Sequence, residues 1–79
     1  MSKQVYSQRY QAFLRKLKQA REQKGLTQKQ VAELLGKPQS FVSKCESGER
    51  RVDFVELLDF VRIYEVPQAG LVAVCANSL

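Results

Sequence analysis

The sequence has no histidine and no tryptophan. Without histidine it lacks the commonest general base at neutral pH and the commonest metal ligand. The two cysteines, Cys45 and Cys75, cannot complete a tetrahedral zinc shell by themselves. They are also too few for a disulfide scaffold, and Cys45 falls at a core-facing position, which argues against a bridge. None of the four glycines forms part of a glycine-rich phosphate loop. Ser43 has no candidate base near it, and Asp53 and Glu56 have a simple capping explanation. These absences predict a protein that is not an enzyme and carries no metal and no cofactor. No apolar run approaches the roughly 20 residues a membrane helix needs. No secretory h-region stands near the N-terminus, so the cytosol is the expected location.

What is present is a short, basic chain. Its 79 residues predict one domain, and 44% hydrophobic residues are ordinary for a globular fold. A chain of this size buries only about 60% of the surface its unfolded form exposes, so it can fold alone with a thin margin, and help from a partner subunit would not be surprising. The net charge of +5 is unevenly spread. Residues 1–24 carry +6, residues 25–51 carry +2 and residues 52–79 carry −3. A basic front and an acidic rear suggest a polyanion docked on one side, although solvated helix faces would look the same.

Apolar spacing predicts helices. Residues 1–6 read as a loose polar arm. Ser7 is a candidate N-cap, followed by Tyr10, Phe13, Leu14, Leu17, Ala20 and Arg21 on one stripe. Gly25 suits the left-handed residue after that helix. Thr27 and Gln30 form a capping box for a second helix, whose expected buried side is Val31, Ala32, Leu34 and Leu35. Gly36 ends it. A third helix starts at Pro38 or Gln39 and stops at Ser47-Gly48, with Val42 inward and Phe41 and Cys45 flanking it. Asp53 caps a fourth, with Phe54, Leu57, Leu58 and Val61 as its expected apolar stripe and Val66-Pro67 as its break. Residues 68–76 fit a helix or a buried strand; Pro67 and the absence of a second strand favour the helix, while Gly70 weakens it.

Residues 27–48 are the informative stretch. Two short helices joined by a tight turn, with small Ala32 at the closest approach and Gly36 at a left-handed position, form a helix-turn-helix pattern. The second of these helices divides into an inner apolar side and an outer polar one. Its outer side carries Gln39, Ser40, Ser43 and Lys44, residue types that can read base edges in a major groove. Gln could bridge adenine N6 and N7, and Lys could donate to guanine O6 or N7. The first turn of the preceding helix, with Thr27, Gln28 and Lys29, offers free N–H groups and a positive dipole end to a phosphate. Ser47, Arg50 and Arg51 could hold the backbone further along. A polar surface helix with no partner would show the same composition.

Residues 14–66 resemble the Cro and lambda-type repressor family, also called the xenobiotic-response-element type. The segment from Leu35 to Lys44, and then Glu46-Ser47-Gly48-Glu49-Arg50-Arg51, carries the similarity most specifically. The resemblance implies an all-α, compact five-helix bundle that binds operator DNA, usually as a dimer. By the same resemblance Gln28 matches a phosphate-contacting glutamine. Gln39, Ser40, Ser43 and Lys44 match base-reading positions. Arg21 and Glu46 match a structural Arg–Glu pair tying the first helix to the end of the recognition helix. Cys45 departs from the family's larger apolar or aromatic residue.

The expected organisation is therefore an arm at 1–6, a DNA-binding domain at 7–66 and a C-terminal segment at 67–79 packing on the core. If helical, that segment is apolar on nearly all sides and needs cover all round. A homodimer through Leu71, Val72, Val74 and Cys75 would supply it. The leading expectation is a repressor-type transcriptional regulator on double-stranded, palindromic DNA. It would act by blocking or recruiting polymerase. An antitoxin with a toxin partner, or a restriction–modification controller, would share these features. A protein-interaction module without DNA binding should instead show an apolar or acidic outer face on the third helix.

Overall fold

The computed structural model describes residues 7–65. They form α1 (Gln8–Gln23), α2 (Gln28–Leu35), α3 (Gln39–Ser47) and α4 (Phe54–Tyr64). The fold is all-α. Among the described residues there are four helices, where the family resemblance implies five. The arm at 1–6, the expected fifth helix and the proposed dimer residues Leu71, Val72, Val74 and Cys75 lie outside the described residues.

Local chemistry starts and stops these helices. Ser7 Oγ accepts from the Tyr10 N–H at 3.2 Å. At α2 the capping box is complete: Thr27 Oγ1 accepts from Gln30 N at 3.1 Å, and Gln30 Oε1 accepts from Thr27 N at 2.8 Å. Asp53 and Glu56 repeat the device at α4, at 2.8 and 3.0 Å. Each box satisfies two N–H groups that the helix itself leaves unpaired. Helix α3 has no side-chain cap; Pro38, with φ −67°, supplies the entry geometry instead. Gly36 (φ +70°) and Gly48 (φ +89°) turn the chain out of α2 and α3 in the left-handed region that a side chain would strain. α4 ends differently, on Glu65 at φ +57°, a non-glycine residue ion-paired with Lys24.

The core collects Phe13, Leu14, Leu17 and Ala20 from α1, Val31 and Ala32 from α2, Val42 and Cys45 from α3, and Leu57, Phe60 and Tyr64 from α4. Val31, Val42 and Cys45 are fully enclosed, which locks α2 against α3 as one unit. Burying a side chain of this kind contributes about 1.5–3 kcal/mol. Phe60 lies between Phe41 and Tyr64, with ring centroids 6.4 and 5.8 Å away, and so links α4 to the underside of α3.

Three apolar positions are not where the periodicity placed them. Leu34, Phe54 and Leu58 are exposed. On α2 the inward direction is set by Val31, Ala32 and Leu35, and Leu34 lies roughly 105° from it at 100° per residue. On α4 the inward face runs through Leu57, Phe60 and Tyr64, which turns Leu58 roughly 125° away and leaves Phe54 at the open first turn. Each helix touches the core along a narrow stripe, and an apolar residue beside the stripe stays in solvent. No helix among the described residues is long and apolar enough to cross a membrane.

Candidate nucleic-acid interface

Helix α3 has two opposed faces. Val42 and Cys45 anchor its inner side at zero exposure. Gln39, Ser40, Ser43 and Lys44 are all exposed, and their side chains make no hydrogen bond or ion pair among the described residues. Four polar side chains without partners among the described residues offer their donors and acceptors to a ligand. Ser47, at the last turn, is exposed too. Its hydroxyl donates to the Lys44 carbonyl at 3.2 Å and accepts from Glu49 N at 3.3 Å, so it also closes the end of the helix.

The first turn of α2 sits beside the last turn of α3. Gln28 Nε2 donates to Glu46 Oε1 at 2.9 Å. Glu46 in turn accepts from Arg21, Nε to Oε2 at 2.6 Å and Nη2 to Oε1 at 3.2 Å. Arg21 Nη1 donates onward to the Leu26 carbonyl at 2.8 Å. The Arg21 and Glu46 side chains are 10% and 5% exposed, so this is a buried, fork-shaped ion pair between α1 and α3, to which Gln28 ties α2. The hydrogen bond to Glu46 raises the Arg21 pKa above its already high ordinary value, so the guanidinium stays charged. The Tyr64 hydroxyl is buried nearby with no hydrogen-bond partner among the described residues, and burial pushes its pKa well up, so it stays neutral. Lys29 is exposed on the outer side of α2, and Thr27 Oγ1 is engaged in its cap.

The two arginines after α3 are exposed, but each lies over an aromatic ring. Arg50 Nη1 pairs with Glu56 Oε1 at 2.6 Å, and its guanidinium lies 4.8 Å from the Phe41 ring centre. Arg51 lies 4.4 Å over the Tyr10 ring. The Arg50 hydrogen bond holds the Glu56 carboxyl below its ordinary range. Burial pushes the Cys45 thiol up, against an opposing pull from Arg50, which makes this cysteine an inert core residue rather than a nucleophile.

The structure thus brings Arg21, Gln28 and Glu46 together in one network, and sends Arg50 and Arg51 to aromatic rings. Sequence reading missed several partners. Phe41 underlies both Arg50 and Lys37, the latter at 5.2 Å. The Tyr10 hydroxyl accepts from Val52 N at 2.9 Å, 42 residues away. Glu56 serves Arg50 as well as its cap. The capping pattern explained Glu56 completely, so nothing in the sequence signalled its second bond.

Comparison with known proteins agrees with this geometry. A family described as a helix-turn-helix domain matches residues 12–73. A solved structure of an XRE-family like protein from Pseudomonas syringae pv. tomato str. DC3000 superposes with a TM-score of 0.84 at 43% identity, covering 98% of this chain and 94% of that one. No curated protein matches the sequence. With most of its length inside the helix-turn-helix match and a near full-length likeness to an XRE-family structure, the chain belongs to the XRE/Cro type of helix-turn-helix proteins, a family of DNA-binding transcription regulators.

Proposed function

We propose that this protein is a sequence-specific regulator of the repressor type that lays α3 in the major groove of double-stranded DNA. The observation that carries the reading is the division of α3. Val42 and Cys45 fix its inner side to the bundle, while Gln39, Ser40, Ser43 and Lys44 stand outside with no partner among the described residues. A helix rigidly held on one side and unsatisfied on the other is what base reading requires. The polar, partly cationic outer face also fits DNA better than a protein-docking surface.

In this reading Thr27, Gln28 and Lys29 present the start of α2 to one backbone strand. Ser47 in the last turn of α3, and Arg50 and Arg51 just after it, hold the backbone further along, with Arg50 exchanging Glu56 for a phosphate. A second copy joins through Leu71, Val72, Val74 and Cys75. A two-fold dimer sets the reading helices about 34 Å apart and selects a palindromic site. Occupancy of that site would block polymerase.

Selection from a random duplex library tests the reading. A palindromic consensus is expected. Gln39→Ala and Lys44→Ala should each relax preference at particular bases, by about 1–3 kcal/mol per lost contact. If each subunit neutralises three or four phosphates, log K should fall with log salt at a slope of roughly −5 to −7. Failure to bind any duplex at low ionic strength would end the reading. A monomer in sedimentation at high micromolar concentration would end the dimer alone.

A further inference from the structure

We infer that Glu46 is the positioning residue for the phosphate contact of α2: it holds the Gln28 side chain in its binding pose before DNA arrives. This rests on the DNA-binding reading above.

A glutamine side chain has three soft torsions and loses much of that freedom when it grips a ligand. Gln28 is half-buried, and its amide is already engaged by Glu46 Oε1 at 2.9 Å. A primary amide has two N–H donors. With one directed to Glu46, the other is left for a phosphate oxygen. The acceptor is itself immobile. Glu46 is 5% exposed at its side chain, and Arg21 grips both of its oxygens. Arg21 is anchored in turn on the Leu26 carbonyl, just before the α2 cap.

The charge arrangement fits the same role. A bare carboxylate beside a phosphate site would repel the ligand. Here Arg21 neutralises Glu46, so the carboxylate orients Gln28 without setting a field against the backbone. Glu46 also lies two residues beyond Lys44 on α3. The backbone contact is therefore registered directly on the helix that reads the bases, not through several layers of core.

A double-mutant cycle in DNA affinity tests this, run on the full chain well below each variant's melting temperature. Glu46→Gln removes the charge that holds the network, and Gln28→Ala removes the side chain it positions. In the parent background Glu46→Gln should weaken binding roughly tenfold, about the worth of one charge-assisted hydrogen bond. In the Gln28→Ala background the same change should have little further effect. Additive losses would mean that Glu46 only braces the bundle, and would overturn the inference while leaving DNA binding intact. Normal affinity in Gln28→Ala would overturn it as well. Absence of binding by the parent protein would sink the functional reading itself. Should Glu46→Gln not fold, the unmutated free protein still decides. The two side-chain amide protons of Gln28, assigned by their loss in Gln28→Ala, should show different exchange rates in NMR, with the one facing Glu46 protected. Equal, fast exchange would overturn the proposal.

Discussion

Two Arg–Glu pairs of similar bond length, one made by the last turn of α3 and one by the loop that follows it, have different consequences. Arg21–Glu46 and Arg50–Glu56 both close at 2.6 Å. The first is enclosed, with side chains 10% and 5% exposed, while the second is open, at 42% and 17%. Water screens the open pair, and its formation must offset the entropy of ordering an exposed arginine. The enclosed pair sits where a lost partner leaves an uncompensated charge in a low-dielectric setting. Solvent access therefore makes the loss of a single partner costly in the first pair and leaves the second an adjustable clasp on the α3–α4 loop.

Removing one member of the enclosed pair should give the largest effect. Glu46→Ala should cost about 3–5 kcal/mol, measured by urea unfolding, because Arg21 is left buried and unpaired. For so small a domain that is a large fraction of total stability. Replacing both residues with apolar ones, Arg21→Met with Glu46→Leu, should recover most of that loss. A double variant no more stable than Glu46→Ala would contradict the role given to the unpaired charge.

Arg50→Gln should produce a much smaller fall in melting temperature, and added salt should shrink it further. Its pH dependence has a definite sign. Glu56 has a lowered folded pKa because Arg50 bonds its carboxylate. The resulting stabilisation is fully present above the unfolded value of about 4.3 and is lost as pH falls through the folded value. The gap between parent and Arg50→Gln should thus be constant near neutrality and close in acid. A gap that widened in acid would mean another group carries the effect. The smallest response belongs to the fully open pairs. Lys24→Gln and Arg62→Gln, which break the pairs with Glu65 and Asp59, should leave the melting temperature unchanged within error.

The helices and their ends were legible in the chain because capping is local chemistry. Ser7, Thr27 with Gln30, and Asp53 with Glu56 bond within three residues, so spacing alone reveals them. Gly36 and Gly48 were legible for the same reason. The outer face of α3 was legible because helical periodicity separates Gln39, Ser43 and Lys44 from Val42 and Cys45. Leu34, Phe54 and Leu58 were misplaced because hydrophobicity reports a tendency to be buried, not the direction from which a neighbour comes. The Gln28–Glu46 and Tyr10–Val52 bonds span 18 and 42 residues, and no local pattern encodes such separations.

The sequence by itself determined the all-α class, the position of each described helix, its caps and the residues offered on α3, since all of these follow from interactions within one or two turns. Only the tertiary structure decided which stripe of each helix became core, which arginine was enclosed and which left in water, and that Gln28 is held by a carboxylate from another helix. The reason is geometric. Burial sets the local dielectric and the available partners, and both depend on how helices cross, which residues far apart in the chain settle together.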